Sequence, residues 1–153
     1  MLQRKQTLWT LLAVICAALT FKFSFYFGNM KVGLNGIAPL EVKAMPTFGV
    51  GSVSAGSGSV LILIVTVLII AGAVFNIFNF KVRRKQLWIT IGLIFLSLLN
   101  ILLYWWKSGV PPFESGNYSV GMLLTLAIPV FLFLGARGIR KDEKLVKSAD
   151  RLR

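Results

Sequence analysis

Residues 59–80 read Ser59-Val60-Leu61-Ile62-Leu63-Ile64-Val65-Thr66-Val67-Leu68-Ile69-Ile70-Ala71-Gly72-Ala73-Val74-Phe75-Asn76-Ile77-Phe78-Asn79-Phe80, a run without a single ionisable side chain. Helical backbone rises about 1.5 Å per residue and satisfies its own amides, so roughly 20 apolar residues cross about 30 Å of hydrocarbon. The run is expected to be a transmembrane helix. Working outward, three further apolar runs cover about 7–27, 87–106 and 119–136. The expected fold is all-α: a polytopic membrane protein of four transmembrane helices, forming one domain over 1–136. A basic tail over 137–153 continues the fourth helix.

Composition agrees. Of 153 residues, 56% are apolar and 14% charged, against roughly 45–50% and about 25% in a soluble domain. The chain has no His, one Cys and five carboxylates. A His-based metal site, a Ser-His-Asp triad and a Cys-His pair are thereby excluded, and no cofactor or catalytic residue is assigned.

Orientation follows from the cations, because cytoplasmic flanks carry the excess of Lys and Arg. Arg4, Lys5, Lys81, Arg83, Arg84, Lys85, Arg137, Arg140, Lys141, Lys144, Lys147, Arg151 and Arg153 fall on one side; Lys22, Lys31, Lys43 and Lys107 fall on the other. The ratio of 13 to 4 places both termini in the cytoplasm. Trp9 and Trp88 are expected at the inner boundary, and Tyr26, Tyr104, Trp105, Trp106 and Tyr118 at the outer one. The first run lacks a short h-region and cleavage site and is expected to be an uncleaved helix. Cys16 reads as a small buried apolar residue.

The outer loop at 28–58 is the long connection. In its first half, residues 30–42 alternate apolar and polar between turn residues and could form a hairpin. Its second half, 49–59, is rich in Gly and Ser but lacks a G-K-[ST] ending and the G-x-G-x-x-G spacing, so it reads as a linker. Residues 81–86 are expected to be a tight basic turn, and 107–118, with Pro111 and Pro112, a stiff turn.

Polar side chains within a span are costly and are default functional candidates. Lys22 either snorkels outward, the plainer reading, or pairs with Glu41, Glu114 or Asn100. Asn76, Asn79 and Asn100 read first as interhelical hydrogen-bonding groups and second as the lining of a polar pathway. Thr10, Ala13, Ala17, Thr20 and Ser24 recur at spacings of 3, 4, 3 and 4, a small-residue stripe that marks a packing face. Pro129 interrupts the backbone bonding of the fourth helix and is expected to kink it.

In the tail, Ile139, Leu145, Val146, Ala149 and Leu152 fall within one arc at about 100° per residue, with Arg140, Lys144, Lys147 and Arg151 roughly opposite. Such a helix serves as a topology signal, adsorbs to anionic lipid or docks a partner. Laid flat, it would turn its basic row to the cytosol, which suits an acidic protein complex or an RNA-containing one. The start Met1-Leu2-Gln3-Arg4-Lys5-Gln6-Thr7-Leu8-Trp9, the four runs and the ending 137–153 resemble a bacterial family of small four-span membrane proteins, domain of unknown function 4293. The resemblance implies the bacterial inner (cytoplasmic) membrane and brings no activity or site residue.

Three functions remain open at this stage. The first is a non-enzymatic accessory or anchoring subunit that engages a protein complex through Arg140, Lys144, Leu145, Lys147, Ala149, Arg151 and Leu152. The second is an oligomeric small transporter or channel in which Lys22, Asn76, Asn79 and Asn100 face a shared interior. An enzyme acting on a lipid or quinone ranks third. The orientation is testable in cells with a permeable outer envelope and with Cys16 replaced by Ala. A Ser54→Cys variant should react with a membrane-impermeant maleimide and a Ser148→Cys variant should not; labelling at Ser148→Cys alone reverses the topology.

Overall fold

The computed structural model describes residues 5–32, 36–42, 57–79, 83–109 and 115–150. They form α1 (Lys5–Leu19), β1 (Tyr26–Val32), β2 (Gly36–Val42), α2 (Ser57–Phe78), α3 (Arg83–Gly109), β3 (Ser115–Tyr118) and α4 (Val120–Asp150). Each helix packs on its neighbours in the chain and α4 closes back on α1, giving a four-helix ring. Three segments, Val60–Phe78, Arg84–Ser108 and Val120–Glu143, are long and apolar enough to cross a membrane, whereas Gln6–Leu19 is a shorter apolar helix. Large apolar side chains such as Leu68, Phe95, Leu102, Leu123 and Phe133 stand exposed on the outside of the ring. In water such a surface would aggregate; facing lipid it is the favourable arrangement.

The core draws on every helix. Ala13 and Ala17 of α1 meet Val65, Ile69 and Ala73 of α2, Leu93 of α3, and Ile128 and Leu132 of α4. The small-residue stripe is the packing face: Thr10, Ala13, Ala17, Thr20 and Ser24 are all buried. Helices in lipid gain little from apolar burial alone, so close backbone approach and dense van der Waals contact take its place. On the α4 side, Gly135 lies against Thr10 and Gly138 against Gln6, while Gly121 meets Ser24 at the other end. These pairings make α1 and α4 antiparallel. At Gly121 the approach is backbone to backbone, because its N–H donates to the Ser24 carbonyl at 3.1 Å.

The first apolar run does not form one helix over 7–27. It stops at Leu19, where Thr20 Oγ1 donates to the Ala17 carbonyl at 2.7 Å and the Lys22 N–H donates to the Leu19 carbonyl at 3.0 Å. The reason is in the residues. Phe21, Phe23, Phe25 and Phe27 alternate with Lys22, Ser24 and Tyr26, a period-2 pattern of aromatic residues that favours extended backbone. The expected hairpin over 30–42 is real but starts earlier, pairing Tyr26 with Val42 through Val32 with Gly36. A third strand, unforeseen in the sequence, adds β3 antiparallel to β1, giving the order β2-β1-β3. The sheet is rooted in a second core of Phe25, Val42, Ile62 and Tyr104. Phe25 stacks on Tyr104 with ring centroids 4.7 Å apart.

Other boundaries shift modestly. Arg83, Arg84, Lys85 and Gln86, expected within a turn, form the start of α3, and α4 runs through Pro129 to Asp150. The Gly/Ser linker lies outside the described residues up to position 56, as do 80–82 of the basic turn and 110–114 of the Pro-containing turn.

The Gly121 contact generates a paired test by thermal unfolding in detergent. Gly121→Ala would drive its Cβ into the Ser24 backbone and should destabilise by about 1–3 kcal/mol. Gly92→Ala, with open space around it, should leave stability unchanged or raise it by about 0.5–1 kcal/mol.

Candidate functional site

Two polar layers cross the interior of the ring. Near the end where α1 begins, here the tail end, Asn76 Nδ2 donates to Thr90 Oγ1 at 2.8 Å and Gln86 Nε2 donates to the Asn76 carbonyl at 3.3 Å. Thr90 Oγ1 in turn donates to the Gln86 carbonyl at 2.8 Å. This network ties α2 to α3, and Asn76, Gln86 and Thr90 are all buried. Gln6 of α1 is buried as well. The second layer lies nearer the sheet. Asn100 Nδ2 donates to Thr66 Oγ1 at 3.3 Å, and Thr66 Oγ1 donates to the Ile62 carbonyl at 2.7 Å. The buried Tyr104 hydroxyl sits beside the hydroxyls of Thr20 and Thr66 without a well-formed hydrogen bond to either.

These layers are incomplete. Gln6 Oε1, Asn76 Oδ1, Gln86 Oε1 and Asn100 Oδ1 are buried acceptors without a hydrogen-bond partner. The amide side chains and threonine hydroxyls of these layers donate and accept hydrogen bonds and so can fix helix register. Among the described residues, no group of three or more His, Cys, Asp or Glu side chains lies together.

The candidate residues named from sequence separate into distinct places. Asn76 and Asn100 are fully buried and bonded between α2 and α3. Asn79 lies one residue beyond α2, partly exposed, with its N–H donating to the Phe75 carbonyl at 3.1 Å. It therefore does not share the Asn76 layer. Lys22 is exposed in the turn after α1, so it is not a residue within a helical span, and Asn100 is engaged with Thr66 instead. The Glu41 side chain and Glu114 lie outside the described residues. Tyr104, expected on the outer aromatic boundary, is buried, whereas Trp105 and Trp106 beside it are about two-thirds exposed. Trp9 is partly buried against Phe131, ring centroids 6.0 Å apart, while Trp88 stands exposed.

The sequence reading missed Thr66, Gln86 and Thr90. Gln86 and Thr90 stand at i, i+4 on one face of an apolar helix, a signal that was available. In the tail, Ile139 is buried and Arg140 exposed, the sidedness expected of the first turn. Lys144, Leu145, Lys147 and Ala149 lie within α4, and their side chains are outside the described set; Arg151 and Leu152 are outside the described residues.

A family model described as a domain of unknown function (DUF4293) matches residues 2–152. The chain belongs to this family. No curated protein and no solved structure matches it. The family match spans the helices, the sheet and nearly the whole tail, so the elements described above form one family unit.

A double-mutant cycle tests the layer at the tail end. Asn76→Ala and Thr90→Ala should each destabilise, and their coupling should be about 0.5–2 kcal/mol by unfolding in detergent. Strict additivity would mean that the two side chains do not bond across α2 and α3.

Proposed function

We propose that this chain is a non-enzymatic subunit of the bacterial inner membrane that anchors or accompanies a larger assembly, docking it through the basic end of α4. One observation carries the reading: α4 is a single helix from Val120 to Asp150 that joins an apolar, membrane-crossing half to a basic half. From Gly138, seated against Gln6, it continues through residues 139–150, about 18 Å of further helix. A rigid arm of that kind transmits position from the bilayer to whatever binds it.

The topology proposed with this function has four spans and both termini in the cytoplasm. The α1 segment as fourth span is supported by its packing, since residues 6–24 follow α4 from Gly138 to Gly121, about 26 Å along the helix. Trp88 at one end of α3 and Trp105 and Trp106 at the other are exposed and about 26 Å apart along the axis, the spacing of two interfacial belts. Arg83, Arg84 and Lys85 occupy the first turn of α3, where the helix macrodipole disfavours cations. Their presence there is better explained by retention on the cytoplasmic side than by helix stability.

The partner that suits this arm is an acidic face of a cytoplasmic or membrane protein complex. Asn76 and Asn100 point into the ring of one copy, which favours an accessory role over a pore shared between copies. Replacing Lys144, Lys147 and Arg151 together by Gln removes three charges, keeps helix propensity and leaves Arg137 and Arg140 in place. The variant should insert normally, yet its in-cell cross-links to a partner should disappear. Unchanged cross-links together with an unchanged phenotype would refute docking through the tail.

A further inference from the structure

On the outside of the ring, α3 and α4 part near the tail end to leave a groove of about 450 Å³, lined by Ile91, Ile94, Phe133, Ala136, Arg137 and Arg140. Its composition changes along its length. Phe133 stands more than half exposed, with Ile91 and Ile94 facing it from α3, so this part is wholly apolar. At the other end are the guanidinium groups of Arg137 and Arg140, three residues apart on one face of α4 and both exposed. No carboxylate lines the groove. Trp88 lies one turn of α3 beyond Ile91, exposed at the depth where an indole ring occupies the membrane interface.

We propose that this groove binds one anionic glycerophospholipid, its phosphate held by Arg137 and Arg140 and an acyl chain lying along Ile91, Ile94 and Phe133. The apolar and basic halves match the two halves of such a molecule in the order in which a membrane presents them. Guanidinium groups bind phosphate oxygens in bidentate fashion, and a paired arrangement at the interface distinguishes an anionic headgroup from a zwitterionic one. A soluble anion would leave the apolar part uncovered, and an acidic peptide would bury charge against Phe133 and Ile94. The site is separate from the tail residues beyond Arg140.

Native mass spectrometry of the full chain in mild detergent, with added dioleoylphosphatidylglycerol or dioleoylphosphatidylcholine, tests the proposal. One phosphatidylglycerol adduct per chain is expected, with phosphatidylcholine at least about tenfold weaker. Arg137→Gln with Arg140→Gln should lose the adduct, and so should Ile94→Trp, which fills the apolar part and keeps both arginines. Arg84→Gln with Lys85→Gln removes the same charge from α3 outside the groove and should keep it. The proposal falls if the Arg137/Arg140 variant or Ile94→Trp retains the lipid as wild type does, or if the Arg84/Lys85 variant loses it equally. It falls as well if millimolar inorganic phosphate displaces the adduct, or if chain dimers free of lipid show that a second copy covers the groove.

Discussion

The close approach of α1 to α4 is the constraint on which the remainder depends. Thr10, Ala13, Ala17 and Thr20 present almost no side chain beyond Cβ or Cγ, and Gly135, Gly138 and Gly121 lie opposite along the seam. With backbones this near, dispersion contacts accumulate along the whole length of α1, compensating for the weak apolar driving force in lipid. The seam also sets the register of the first and last helices, which are the most distant in sequence. Once α4 is held against α1, the ring of four is closed and the α2–α3 pair has one place to pack.

The sheet depends on the same seam. Gly121 hydrogen-bonds the Ser24 carbonyl and Ser119 the Phe25 carbonyl, so the start of α4 pins the chain as it leaves α1. From there Phe25 turns inward onto Tyr104, and Tyr26 begins the strand that pairs with both β2 and β3. The edge-to-face contact of Tyr26 with Tyr118, centroids 5.3 Å apart, joins the strands that follow α1 and precede α4. A small three-stranded sheet gains stability from being rooted in a helical core in this way.

Polar groups inside the ring have a cost and a use. Asn76–Thr90 and Asn100–Thr66 both join α2 to α3 and prevent the two apolar helices from sliding past each other, which aliphatic contacts alone do not prevent. The unpartnered amide oxygens of Gln6, Asn76, Gln86 and Asn100 are the expensive part of this arrangement. The basic residues follow another logic. Arg84 and Lys85 of α3 and Arg137, Arg140 and Lys141 of α4 stand exposed together at the tail end.

The sequence by itself determined the parts that depend on composition along one segment. The apolar runs specify α2, α3 and the first half of α4; the small-residue stripe specifies the seam face of α1; and the absence of Gly or Pro after Gly138 specifies the continued helix to Asp150. Asn76 and Asn100 were legible as interhelical bonding groups for the same reason, since an amide in an apolar run must find a partner nearby. Tertiary structure decided whatever depends on a partner distant in sequence. The alternation of Phe21, Phe23, Phe25 and Phe27 with polar residues marks where α1 stops short, but that the chain becomes a strand from Tyr26 turns on Val42 and Tyr118 being there to pair with, which a hydropathy window cannot register. The same holds for Tyr104, buried by Phe25, and for Asn79, removed from the interior when α2 ends at Phe78. The α3–α4 groove is likewise a product of two helix surfaces meeting, because Arg137 and Arg140 acquire an apolar neighbour only when Ile91 and Ile94 are brought alongside.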